Sequence, residues 1–327
     1  MKIAVIGCGN VGFAHLVWMK KRGFDVLGYD VDLRVQKRIA ETIGEACVAY
    51  DLKSLASCES IHICVPTEPA ADGSADMGIY ESVIHGLVSV LDNHRQMSVI
   101  QRSTCPPGSA DRYANYFGDN ISYGVNPSFL RKSSIIQDTE QPERIAIGGQ
   151  GLSVIHMKEI YRDVKAPRYV TENRTSVELL KYVENTLDAM LISYWNEILE
   201  YAVFLGLETE EVVNLLEKIG DREKFQTVSR VPGKAFGLWC LPKDLRALII
   251  NMKEKGISPN LMEGILHNNV KFEHQTGIGL VPAQALWEMS SGHVRILDEG
   301  KQQIDDYVKR RHKSTEKTDA SIAFSKE

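Results

Sequence analysis

A short apolar run that breaks into three glycines and then into a helix leaves few folds open to this chain. Lys2–Ile6 is apolar after its first residue and ends in Gly7-Cys8-Gly9-Asn10-Val11-Gly12, with a helical pattern following through Lys20. A second apolar run, residues 24–29, ends at Asp30. Strand, glycine turn, helix, strand and terminal acid make one βαβ unit. Gly7 permits the tight turn, Gly9 lets a pyrophosphate approach the backbone, and Gly12 lets helix pack on strand. The helix start, with Asn10 and Val11, turns its unpaired amides toward the phosphates. Asp30 can accept from both ribose hydroxyls and repels a 2′-phosphate, so the cofactor expected is NAD, although Arg34 can blunt the preference.

The alternation continues, with helices over residues 35–43 and 79–91 and strands over 60–65, 98–101, 122–125, 144–147 and 168–170. It predicts an α/β fold, a Rossmann-type doubly wound parallel sheet over residues 1–174. From about Thr175 the texture becomes helical. Residues 177–205 carry apolar positions at helical spacing without Gly or Pro, and further helical patterns cover 209–218, 245–255, 261–273 and 283–309. Residues 175–312 are therefore expected to form a mostly α-helical second domain for substrate and dimerisation. A polar, aperiodic tail, 313–327, is expected to be disordered.

Composition narrows the function classes. A net charge of −5 argues against nucleic acid, and the basic cluster 309–313 reads as a solvated helix end. No stretch approaches the ~18 apolar residues of a membrane span, and the apolar start, interrupted at once by Gly7, Gly9 and Gly12, reads as a buried strand, not a signal peptide. The six cysteines show no paired or metal-ligand spacing, which predicts reduced thiols in the cytoplasm and no metal.

Several motifs, in order, resemble the UDP-glucose/GDP-mannose dehydrogenase family. MKIAVIGCGNVG resembles its start, and STCPPGS (103–109) its STVPPGT. NPSFLRKS (126–133) is similar to NPEFLREG, and RIAIGG (144–149) also fits. ELLKYVENTLDAMLISYWNE (178–197) resembles the linking helix, and CLPKD (240–244) closes the series. The match runs over residues 1–275. The resemblance implies two successive hydride transfers to NAD, taking a sugar primary alcohol to a carboxylate through an enzyme thioester. It implies that Cys240 is the nucleophile and that Lys181 and Asn185 flank the reacting oxygen. Asp244 would position the hydrolytic water beside Thr104. It also implies that Val65, Pro66, Thr67, Ser103, Thr104 and Lys243 border NAD. The substrate would meet Ser128, Phe129, Leu130, Lys132, Phe236, Gly237 and Trp239, together with Lys181 and Asn185.

The residue chemistry agrees. A thiolate attacks an aldehyde readily, and Lys243 beside Cys240 can favour the ionised thiol. Lys181 and Asn185 stand four apart and share a helix face, where an ammonium can stabilise a developing oxyanion. Asp244 can equally serve as N-cap of a helix over 245–255.

Three departures reshape the expected pocket. Ser128 and Lys132 stand where the family has glutamates, and a serine hydroxyl is no base near neutral pH. Ala235, Leu238 and Trp239 add bulk to the family's GFGGSC loop. Only about fifty residues follow the resemblance, where family members continue with a further Rossmann-like domain, so a complete nucleoside-diphosphate surface is not expected here. The substrate expected is thus a primary alcohol on a phosphorylated or otherwise anionic small molecule, with a nucleotide sugar left open. Two alternatives stand beside it: a two-electron β-hydroxyacid-type dehydrogenase using Lys181 and Asn185 with Cys240 incidental, and a non-catalytic protein that retains NAD. The long helix, with Tyr194, Trp195 and Tyr201 among its apolar positions, reads as an intrachain core helix or a dimer seam, and the resemblance implies the homodimer seam.

Overall fold

The computed structural model describes residues 1–92, 94–131, 134–207, 211, 235–236 and 240–276, with the side chains of all but 199, 200, 203, 240 and 272–276. The predictions for Lys132, Gly237, Leu238, Trp239, the tail and the helix over 283–309 lie outside the described residues, as does nearly all of 209–218.

Eight strands form one sheet: β1 (Lys2–Ile6), β2 (Asp25–Tyr29), β3 (Val48–Ala49), β4 (Ser60–Ile63), β5 (Met97–Gln101), β6 (Ile121–Val125), β7 (Ile145–Gly149) and β8 (Arg168–Thr171). Their order is β3-β2-β1-β4-β5-β6-β7-β8. The helices before the second unit are α1 (Asn10–Lys21), α2 (Leu33–Ile43), α3 (Gly78–Val90), α4 (Ser109–Ala114), α5 (Ile135–Glu140) and α6 (Leu152–Ile160). β1 buries both of its faces, because successive side chains of a strand point to opposite sides. Ala4 and Ile6 join a cluster with Leu27, Ile61, Tyr80 and Val99. Ile3 and Val5 join the opposite cluster with Leu16, Val26, Ile100 and Met157.

All pairings are parallel except β6 with β7. The expected doubly wound parallel sheet is present, with one antiparallel pairing at that point. Gly124 stands opposite Gly149, which adopts φ +139, and a Cβ on Gly124 would come within 2.7 Å of the Ser153 side chain. The strand enters backwards where only glycine lets the chains lie this close.

Beyond the sheet, α7 (Arg174–Phe204) is one continuous helix of 31 residues, followed by α8 (Cys240–Glu254) and α9 (Asn260–Thr276). The molecule divides into two compact units. The first comprises Met1–Ala70 with Ser74–Glu184; the second gathers Ala71–Gly73 and the described residues from Asn185 onward. The second has its own small core of Ala189, Ile192, Phe236, Leu245, Ile249 and Ile265.

Candidate active site

The turn after β1 has the geometry its glycines predict. Gly7 sits at φ +82, and a Cβ there would meet the backbone of Cys64 and Val65 at 2.9 Å. A Cβ on Gly12 would lie 2.0 Å from the Gly7 carbonyl oxygen, so only glycine lets α1 start this close to β1. At Gly9 the space is open. Gly9 is also the N-cap of α1, with no side-chain cap and no acid in the first turn. The first amides of α1 are thus left for an anion. Asp30 is fixed at the end of β2: Oδ2 accepts from the Cys8 amide at 2.7 Å and Oδ1 from the Asp32 amide at 3.0 Å. Arg34, which could have offset the acid, is engaged instead by Asp32 through Nη2 at 2.6 Å. These residues fit a dinucleotide.

The neighbouring strand ends converge on the same edge. β1 and β4 are adjacent, where the strand order reverses, and the C-terminal end of such a sheet is where ligands bind. Ser103 donates to the Val65 carbonyl at 2.6 Å, and Thr67 donates to the Thr104 carbonyl at 2.8 Å. The stretches Val65-Pro66-Thr67 and Ser103-Thr104 are therefore laced together, with Val65, Thr67 and Ser103 buried.

Also in the first unit, Ser128, Phe129 and Leu130 follow β6 and line a small opening. Lys181, 9% exposed on α7, lies 5.2 Å over the Phe129 ring and 3.6 Å from Glu184, which also pairs with Arg144 at 3.0 Å. An ammonium so enclosed keeps little of its water, the condition under which it acts most strongly on a developing oxyanion.

In the second unit, Asn185 and Asp244 are both buried, and the Asn185 carboxamide donates to Asp244 Oδ2. Lys243 Nζ holds Asp244 Oδ1 at 2.6 Å. The N-cap role considered for Asp244 is corrected: the helix begins at Cys240, so Asp244 lies inside it. Pro242 in the first turn does not oppose this, since its missing amide would be unpaired there anyway. Cys240 opens α8, one turn before Asp244. Phe236 is buried, and Asn269 clasps its backbone, accepting from the amide at 2.7 Å and donating to the carbonyl at 3.0 Å.

The comparisons with known proteins bear directly on these motifs. The NAD binding domain of the UDP-glucose/GDP-mannose dehydrogenase family matches residues 1–165, and its central domain matches residues 175–271. This chain belongs to that family. It is an NAD-dependent dehydrogenase. It is 28% identical to the putative UDP-glucose 6-dehydrogenase YtcA of Bacillus subtilis, over 89% of this chain and 72% of that one. It is 27% identical to the GDP-mannose 6-dehydrogenase of Pseudomonas aeruginosa, over 82% and 68%. A solved UDP-glucose dehydrogenase from Pyrobaculum islandicum superposes with a TM-score of 0.74 at 29% identity, covering 84% of this chain and 69% of that one. No helix of the described residues is long and apolar enough to cross a membrane.

Sequence reasoning missed a polar group behind Ser128. His15 Nε2 lies 2.9 Å from the Ser128 hydroxyl and 2.9 Å from Arg102 Nη2, which also donates to Tyr161 at 2.9 Å. His15 sits among apolar helix positions and gives no signal; Arg102 directly precedes the STCPPGS motif and was the one findable member. Glu178 was also missed. Its carboxylate accepts from Gln101 at 2.7 Å and from the Gly108 and Ala110 amides at 2.7 and 2.8 Å, so it caps the start of α4.

Proposed function

We propose that this dehydrogenase oxidises the primary alcohol of a nucleotide sugar or a similarly anionic sugar derivative, first to the aldehyde and then to the carboxylate. The observation that carries the reading is the buried Asn185–Asp244–Lys243 arrangement one turn inside the helix that Cys240 opens. A carboxylate held by two donors at that point is fixed in orientation, as a water-positioning group must be. The relatives' names, a putative UDP-glucose 6-dehydrogenase and a GDP-mannose 6-dehydrogenase, support the nucleotide-sugar class.

Gly7, Gly9, Asn10, Val11, Gly12 and Asp30 would hold the pyrophosphate and ribose of NAD, with Val65, Pro66, Thr67, Ser103, Thr104 and Lys243 bordering it. The bound cofactor supplies the hydride acceptor. Lys181 stabilises the alkoxide as the alcohol loses its proton, and Asn185 orients the same oxygen. Cys240 adds its sulfur to the aldehyde carbon, and the carbonyl oxygen takes the proton, giving a thiohemiacetal. Loss of its hydroxyl proton together with a hydride, for which a second NAD would be the acceptor, leaves a thioester, which water directed by Asp244 and Thr104 cleaves to acid and free thiol. Ser128, Phe129 and Leu130, with Phe236, Gly237, Trp239 and Lys132, shape the substrate pocket.

The enzyme acts in the cytoplasm as a homodimer. Leu187, Tyr194 and Tyr201 repeat every seven residues along α7 and are 47%, 54% and 60% exposed, an apolar stripe suited to a second copy. The test is NAD reduction across UDP-glucose, UDP-N-acetylmannosamine, GDP-mannose and simple sugar phosphates, in wild type and Lys181→Met. Turnover of a nucleotide sugar that falls at least about 100-fold in the variant supports the reading. Turnover confined to small hydroxyacids, or unchanged in Lys181→Met, overturns it.

A further inference from the structure

The polar interior behind residues 127–130 holds a cation without an anion. Arg102 follows the last residue of β5 and is 4% exposed. Among the described residues its guanidinium meets only uncharged groups: Tyr161 and His15 at Nη2, both at 2.9 Å, and His62 Nδ1 at 3.4 Å from Nη1. Nε has no hydrogen-bond partner among the described residues.

None of the titratable neighbours supplies the missing charge. Burial first, and then the Arg102 charge, hold His15 and His62 well below the usual histidine range, so both are neutral. Burial pushes the Cys64 thiol up to about 11. Asp138, the carboxylate lining the same opening, is committed to Arg131 at 2.7 and 3.1 Å and to the Ser134 hydroxyl at 2.9 Å. A second guanidinium at the opening, Arg144, pairs outward with Glu143 and Glu184. A buried cation in these surroundings is costly unless an anion shares its enclosure.

The enclosure exists. Arg102, His15, Ser128 and Tyr161 line an opening with room for an occupant of about water size. We propose that this opening is a binding site for a small inorganic monoanion of the halide class, held by the Arg102 guanidinium with the Ser128 hydroxyl as second donor. Because residues 127–130 form one wall, and Phe129 lies under Lys181, occupancy steadies the segment that carries that ring.

Two measurements on the full chain decide it. Crystals grown in bromide should show an anomalous peak within contact distance of Arg102, and the melting temperature should rise saturably by about 3 °C or more between gluconate and chloride at fixed ionic strength. Arg102→Gln strips donors from Tyr161 and His15 and can fail to fold, so Ser128→Glu is the deciding variant. It places a carboxylate in the opening, and should melt higher than wild type in gluconate and lose the halide response. The proposal is overturned by equal melting in chloride and gluconate with no bromide peak beside Arg102, or by a folded Ser128→Glu protein that keeps the full halide shift.

Discussion

The two units place their polar groups by opposite means. In the first, backbone geometry does most of it: glycines bring α1 against β1, and strand ends hold Asp30, Thr67 and Ser103 by main-chain bonds. In the second, side chains reach across long stretches of chain. Asn185 meets Asp244 59 residues away, Phe236 meets Asn269 33 away, and Asn268 donates to the Ser193 carbonyl 75 away. A sheet with both faces covered fixes its loops through register, whereas a few helices with a core of about six side chains need polar clasps to fix theirs.

The contrast can be broken at its strongest point first. Gly12→Ala forces a Cβ against the Gly7 carbonyl oxygen, and should cost about 3 kcal/mol and abolish NAD binding, seen in a thermal melt and a titration. A melt within about 1 kcal/mol of wild type would mean that the turn yields and that backbone does not govern the first unit. Asp244→Ala removes the acceptor shared by the Asn185 amide and the Lys243 ammonium, and should cost about 2 kcal/mol while stopping turnover. Unchanged stability there would remove the clasp from the second unit.

The smallest effect is a pH dependence. Burial raises Glu178 from 4.5 to about 7, against the pull of Gln101 and the two amides. The folded state then holds its proton more tightly than the unfolded chain, so this group's contribution is full below pH 4.5 and is lost as pH rises through about 7. Glu178→Gln should flatten that segment of the stability-versus-pH curve measured by denaturant titration. An undiminished slope in the variant would assign it elsewhere.

Legibility follows the same divide. The glycine turn, Asp30 and the long helix were readable because each is a local pattern, and α7 was expected over 177–205 against an observed Arg174–Phe204. The short helices α4, α5 and α6 were not, having only six to nine residues each and so too few turns for periodicity to show. The reversal of β7 was hidden because an apolar run carries no direction. The helix expected over 245–255 begins instead at Cys240, a start with which the first-turn Pro242 is compatible. In the candidate site the motif residues were visible singly, but the pairing of Asn185 with Asp244 is a tertiary fact with no local trace. His15 was masked by its apolar helix neighbours, whereas Arg102, directly before STCPPGS, was findable.

The central claim is that the helix opened by Cys240 supports a covalent second oxidation. The most direct measurement is the number of NADH formed per molecule of acid or aldehyde released, in wild type and Cys240→Ser, on whichever sugar substrate turns over. The account predicts two NADH per acid in wild type and loss of the second in the variant. One NADH per product in both proteins would contradict it.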